Sequence, residues 1–256
     1  MRKDKSSAIR GAMNQVRAEQ EALTRALRAG ETPAAWTFKD DAVAKKFDDH
    51  VREQLPWYDP LSRYVADMAV SFLPRGGLLY DIGASTGNIT RLLTDDLRAK
   101  DAKAWSIEPS HEMAKLWTGH GELSIIEAEN IDYTRRPPDV SILFLVLMFM
   151  RPGERTEFLG KLFAATQPGG AIIIVDKGYI GVPEVQVACK AAQLAGKLRS
   201  GTPGDSYVKK ELSLRGEQRP TDAEQIQIQA TEQGFVVEQF FRFGEFYGLA
   251  AIKKAI

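Results

Sequence analysis

Five short apolar runs, alternating with stretches of helical periodicity, constrain this chain more than any other feature. They are Gly77-Leu78-Leu79-Tyr80-Asp81, Ala104-Trp105-Ser106-Ile107-Glu108, Leu123-Ser124-Ile125-Ile126-Glu127, Val140-Ser141-Ile142-Leu143-Phe144 and Ala171-Ile172-Ile173-Ile174-Val175-Asp176. A strand that is apolar at successive positions is buried on both faces, and the intervening helices supply the cover. The runs therefore predict a parallel sheet between two helical layers. Right-handed crossovers make such a sheet doubly wound, with its ligand beyond the carboxyl ends of the strands near the switch point.

Two further runs, Phe235-Val236-Val237-Glu238-Gln239-Phe240-Phe241 and Tyr247-Gly248-Leu249-Ala250-Ala251-Ile252, are separated by residues 242–246. So short a connection predicts an antiparallel hairpin on the sheet edge, for seven strands in all. Ahead of the sheet, residues 41–72 carry two helical patterns broken at Gln54-Leu55-Pro56-Trp57-Tyr58-Asp59-Pro60, where two prolines interrupt helical bonding. The aromatics of that break are placed to touch a ligand. Residues 6–29 read as an amphipathic helical extension stopped at Gly30, with a linker at residues 32–36. After Asp176 come a helix at residues 184–198, a turn-rich stretch at 200–205 and a helix at 221–233. At 256 residues with 44% hydrophobic content, one core is expected: an extension over residues 1–35, then a single domain over 36–256 with an insertion at about 178–220.

Charge and cysteine content remove several classes. Lys and Arg total 34, as do Asp and Glu, so no global field draws the chain to nucleic acid. Cys189 is the only cysteine, which excludes an internal disulfide and a multi-cysteine zinc site and suits a reducing compartment. No apolar run follows the charged first residues, and the run from Val140 to Met150 is too short to span a bilayer. A cytoplasmic protein without a membrane partner is expected. His50, His111 and His120 are too dispersed for a metal motif, so no metal is expected.

The first strand runs into Asp81-Ile82-Gly83-Ala84-Ser85-Thr86-Gly87, and helical periodicity follows over residues 88–97. That is the setting of a nucleotide-binding glycine turn, in which Gly83 and Gly87 let the backbone approach a ligand. Dinucleotide turns use three glycines and rest a pyrophosphate on the helix N-terminus. Here a glycine is missing and Asp81 opposes a phosphate, so a cationic, phosphate-free nucleoside fits better, and S-adenosylmethionine is one. Glu108 ends the next strand, where a carboxylate accepts hydrogen bonds from both ribose hydroxyls. Asn130 and Ile131 follow the third strand, an amide for the adenine edge and an apolar face for its ring. Gln167-Pro168-Gly169-Gly170 is a turn before the fifth strand.

With these stretches in place, the chain resembles the class I S-adenosylmethionine-dependent methyltransferases, whose fold is Rossmann-like, over roughly residues 40–254. Within them it is most similar to carboxy-S-adenosylmethionine synthases. The matching segments are Phe47 through Tyr58, Ile126-Glu127-Ala128-Glu129-Asn130-Ile131, Gln167-Pro168-Gly169-Gly170, Asp176-Lys177, and the closing Phe246-Tyr247-Gly248-Leu249-Ala250-Ala251-Ile252-Lys253. The resemblance implies that Tyr58 lies over the cofactor, that Gly83, Ala84 and Ser85 meet its methionine part, that Glu108 and Pro109 flank the ribose, and that Asn130 and Ile131 hold adenine. Ala84 stands where that subfamily has cysteine, Asn130 where it has aspartate, and Phe144 where it has asparagine. Its carboxylate-binding arginine corresponds to Arg215 across a gap.

Methyl transfer from a sulfonium is an in-line displacement, so alignment and exclusion of water are the main tasks and no covalent nucleophile is required. Where the acceptor needs a base, Asp176, Lys177, His111 and Tyr58 are the groups near strand ends, and Arg215 and Lys177 are the candidates for direct participation. Phe144-Leu145-Val146-Leu147-Met148-Phe149-Met150 reads as core packing in preference to an acceptor wall. Lys197, Arg199, Lys209, Lys210, Arg215 and Arg219 make the insertion basic, although Asp205, Glu211 and Glu217 are interspersed. An anionic acceptor, a small molecule or RNA, is expected. The expected function is methyl transfer to such an acceptor. Carboxy-S-adenosylmethionine synthesis from prephenate is the first alternative, and non-catalytic cofactor binding the second. The helical extension and the subfamily resemblance favour a homodimer.

Overall fold

The computed structural model describes Asn14, Thr37, Phe38, residues 41–199, Leu214 and residues 217–255. The expected extension at residues 6–29 (Asn14 apart), the linker at 32–36, the turn-rich stretch at 200–205, and Lys209, Lys210 and Arg215 lie outside the described residues. The chain divides into two compact units, one built from Thr37–Gly178 with Arg219–Ile256. The described part of the other includes the helix Pro183–Arg199 and a turn in which the Gln218 N–H donates to the Leu214 carbonyl at 3.0 Å.

The larger unit opens with α1 (Asp41–Gln54) and α2 (Tyr58–Phe72). The break between them is only Leu55-Pro56-Trp57, shorter than the two prolines suggest. Pro60 is the third residue of α2, where a backbone N–H has no intrahelical partner to lose. There follow β1 (Leu78–Ile82), α3 (Asn88–Leu92), α4 (Thr94–Ala99), β2 (Lys103–Ile107), α5 (His111–Ala114), β3 (Glu122–Ser124), β4 (Val140–Phe144), α6 (Pro152–Ala165) and β5 (Ala171–Lys177). With the helix Pro183–Arg199 counted as α7, the unit closes with α8 (Ala223–Glu232), β6 (Phe235–Phe243) and β7 (Phe246–Lys253). The helix expected over residues 88–97 is two helices. The Thr94 hydroxyl donates to the Arg91 carbonyl at 3.0 Å, and a side chain bonded to the backbone there competes with helix propagation.

The seven strands form one sheet in the order β3-β2-β1-β4-β5-β7-β6, parallel except that β7 runs antiparallel to both of its neighbours. This is the expected doubly wound Rossmann-like α/β sheet with a C-terminal hairpin. The third strand ends at Ser124, two residues after Glu122, and Ile125 and Ile126 are exposed beyond it. An edge strand has one pairing neighbour, and this one leaves the sheet early. Successive residues of the inner strands enter opposite cores: Leu79, Ile142, Ile173 and Val175 pack with α2, while Tyr80, Leu143, Ile172 and Ile174 pack with Phe158 and Leu162 of α6 and Ile226 of α8. That division is the reason the runs are apolar at every position. Among the described residues no helix is long and apolar enough to cross a membrane.

Candidate functional site

The glycine turn leaves β1 beside the carboxyl end of β2. The N–H groups of Gly83 and Ala84 both donate to the Ile107 carbonyl, at 2.8 and 2.9 Å, which folds the turn against the neighbouring strand. Gly83, Ser85 and Gly87 all have left-handed backbone, with φ of 72°, 52° and 85°. A Cβ on Gly83 would lie 2.5 Å from Cγ2 of Val146, and one on Gly87 would lie 2.4 Å from the Gly119 backbone nitrogen. Close approach of other chain segments, as well as conformation, therefore requires both glycines.

Two acidic side chains lie under the turn. Glu108 is buried, its Oε2 accepting the Ser85 N–H and its Oε1 the Ser110 N–H, both at 2.8 Å. Burial pushes its pKa up, and these two amides pull it back. A carboxylate has about four acceptor directions, so two remain for hydroxyl donors. Asp81 is 2% exposed and its Oδ2 has no hydrogen-bond partner among the described residues. Burial pushes its pKa up to about 7, against the pull of the Thr90 backbone amide. The Ser85 Oγ is likewise buried without a partner among the described residues.

Helices α1 and α2 cover the turn through a polar network. Asp48 of α1 accepts the Thr86 hydroxyl at 2.9 Å and the Asn88 side-chain amide at 2.7 Å. The Asn88 amide also donates to the Tyr58 hydroxyl at 3.1 Å, and Arg91 donates to the Asn88 Oδ1. Arg52, one helical turn after Asp48, grips Asp59 through Nε at 2.9 Å. Tyr58 is buried with its ring edge-on to Phe144, centroids 5.5 Å apart, and burial pushes its hydroxyl up to about 12. Asp48, Thr86 and Asn88 were not among the expected site residues. Asp48 lies in the matching segment Phe47 through Tyr58 and Thr86 in the glycine turn, but neither position, nor the Asp48/Arg52 pair at helical spacing, says that the carboxylate reaches the loop.

The structure thus joins Asp81, Gly83, Ala84, Ser85, Gly87 and Glu108 by direct bonds or chain continuity, and ties in Tyr58 through Asn88 and Phe144 through the Tyr58 ring. Pro109 is half-buried between Glu108 and Ser110. Asn130 is exposed at the end of a 3-10 turn, and Ile131 is buried in the cluster that holds Ile82 and Ile107 at the ends of β1 and β2. His111 is exposed on the first turn of α5. Lys177 stands at the end of β5, its Nζ 3.7 Å from a carboxylate oxygen of the buried Glu245. Asp176 corrects the expectation of a base: its oxygens accept the N–H groups of Val146, Leu147, Met148 and Lys177 at 3.1, 2.6, 3.2 and 2.7 Å. A fully buried carboxylate with four amide donors pins the end of β4 and has no direction left for a substrate proton.

No protein-family model matches the chain. Among curated proteins it is similar to the carboxy-S-adenosyl-L-methionine synthase of Staphylococcus epidermidis, 25% identical over 225 residues that span 86% of this chain and 98% of that protein. Among solved structures it is similar to an O-methyltransferase family protein from Burkholderia thailandensis (TM-score 0.57, 17% identity, 97% of this chain and 72% of that one). It is also similar to magnesium protoporphyrin IX methyltransferase from Synechocystis, solved with bound SAH (TM-score 0.55, 15% identity, 79% and 86% of the two chains). The fold is that of the S-adenosylmethionine-dependent methyltransferases.

Proposed function

We propose that this chain is an S-adenosylmethionine-dependent transferase that moves a methyl group to an anionic small-molecule or RNA acceptor. The observation that carries the cofactor reading is the orphaned Asp81 carboxylate oxygen, buried under the turn. A buried carboxylate oxygen without a partner calls for a donor or a cation and repels phosphate, so the residues fit a cationic nucleoside and disfavour a dinucleotide. Asp81 and Ser85 would take the ammonium and polar atoms of the methionine part, and Glu108 with Pro109 the ribose. Asn130 and Ile131 would take adenine, and Gly83, Ala84 and Gly87 would admit the ligand to the backbone.

When bound, the cofactor supplies an electrophilic methyl on a sulfonium. The chain's own contribution is to orient that group and to keep water out: Tyr58 and Phe144 form an apolar wall, and the Tyr58 hydroxyl stays protonated at neutral pH. A site from which these two rings keep water would favour transfer from a cationic donor. Lys177 Nζ is paired with the buried Glu245 carboxylate, and Arg215 lies outside the described residues.

A second reading, carboxy-S-adenosylmethionine synthesis, is favoured by the similarity to carboxy-S-adenosyl-L-methionine synthases. Against it stand Ala84 and the apolar Phe144 where that subfamily carries polar side chains. Incubating the protein with S-adenosylmethionine and prephenate and weighing the nucleoside product separates the two. An unchanged nucleoside with prephenate, and S-adenosylhomocysteine with an acceptor, supports methyl transfer; a product heavier by one carboxyl group overturns it. Absence of both products with cofactor bound supports a non-catalytic binder. We further propose a cytoplasmic homodimer, on the single cysteine and on the helical pattern in the sequence of residues 6–29, with residues 36–256 as the cofactor domain.

A further inference from the structure

We propose that Asp48 is a positioning residue for the cofactor, setting the pose of the glycine turn and of Tyr58 from outside the turn. The inference rests on the cofactor reading above. Asp48 meets the turn at two points, the Thr86 hydroxyl and the Asn88 amide, which flank Gly87. Thr86 and Asn88 are 4% and 5% exposed, so both groups need a protein partner, and the carboxylate supplies it to each. Ser85 and Gly87 hold left-handed backbone on either side of Thr86, a conformation that persists where surrounding bonds over-determine it. Asn88 passes the restraint on, since the amide nitrogen bonded to Asp48 also bonds the Tyr58 hydroxyl. One carboxylate on α1 thereby restrains both the glycine turn and the Tyr58 ring. Arg52 in turn donates to the Asp48 carbonyl at 2.9 Å, which anchors this part of α1.

The test is removal and rescue. Asp48→Ala takes away the one oxygen, Asp48 Oδ1, that accepts both the Thr86 hydroxyl and the Asn88 amide. Asp48→Asn keeps an amide oxygen able to occupy that position and accept from both. Affinity for S-adenosylhomocysteine is measured by calorimetry, at a temperature where circular dichroism shows each variant fully folded. Asp48→Ala is expected to lose about tenfold or more in affinity, and Asp48→Asn to stay within about threefold of the parent. Folding alone would move melting temperature and leave the affinity of the folded fraction unchanged. An Asp48→Ala variant that binds like the parent, or an Asp48→Asn variant that binds no better than Asp48→Ala, overturns the inference. Should Asp48→Ala not fold, Thr86→Val removes the hydroxyl donor at nearly constant volume, with an expected loss of about fivefold and the same refutation. A parent protein that binds no S-adenosylhomocysteine would instead overturn the cofactor reading, so the two failures are distinct.

Discussion

Asp81→Asn is the substitution on which the cofactor reading turns, because it keeps the side chain's outline and deletes its charge. Burial raises the Asp81 pKa from 3.8 to about 7. Between those values the folded protein holds a proton that the unfolded chain has released. The Asp81 contribution to stability is therefore full at low pH, falls as pH rises through this window, and stays at its lower level above pH 7. About three pH units at 1.36 kcal/mol each set a ceiling of about 4 kcal/mol. The asparagine variant lacks this loss. Without ligand, its melting temperature relative to the parent should therefore rise by several degrees between pH 5 and pH 8, at roughly 2–4 °C per kcal/mol for a chain of this size. Asp176 titrates in the same window in both proteins and cancels in the difference. Cofactor affinity should move the other way. Loss of a charge-assisted hydrogen bond of about 1.5–3 kcal/mol weakens binding by roughly 10- to 150-fold, and the parent's affinity should decline below pH 7 while the variant's does not. Differential scanning fluorimetry at the two pH values, with calorimetric titration of S-adenosylhomocysteine, reads both quantities. A melting difference that is the same at pH 5 and pH 8, or a variant that binds as tightly as the parent, refutes the reasoning.

Three further substitutions test separate parts of the structure. Gly83→Ala should cost about 1–3 kcal/mol in backbone strain on top of the clash with Val146; adding Val146→Ala should recover the clash but not the strain, as read from denaturant midpoints. Asp176→Asn should destabilise by about 3–5 kcal/mol, since an amide group turns donors toward backbone N–H groups; turnover per folded molecule should survive, and its loss would reinstate Asp176 as a base. Tyr58→Phe leaves the Asn88 amide one acceptor short, at about 1 kcal/mol, so cofactor affinity should fall roughly three- to tenfold. Because the Tyr58 hydroxyl is pushed up to about 12, the parent's binding should show no tyrosine titration below pH 10.

The inner strands were legible because each is covered on both faces, so their whole length is written in apolar residues; Val140–Phe144 is read from the sequence to the residue. Edges were less legible. Ile125 and Ile126 look like strand in sequence but project from a chain that has already left the sheet. The break at Leu93 was hidden because one threonine hydroxyl bonded to a carbonyl leaves no composition signal. At the site, Asp81 and the glycines could be read since their spacing is local. The seating of Glu108 on the Ser85 amide and the reach of Asp48 to Thr86 depend on which segments meet in space, and no periodicity encodes that. Asp176 shows the converse failure: a carboxylate at a strand end reads as chemistry until its four amide donors are seen.

The order of the sheet has a consequence for how the chain is made. β7 follows β6 in sequence yet lies between β5 and β6, joined to both. On the ribosome β6 has no strand to pair with until β7 has emerged, and until then the free edge of β5 stays open. The residues of the proposed pocket, from Asp48 through Phe144, all precede β6 and β7 in the chain, so none of them waits on the last two strands to be made. Binding at that stage would hold the half-built sheet together, and the late strand, with its long-range pairing, is where folding should be slowest.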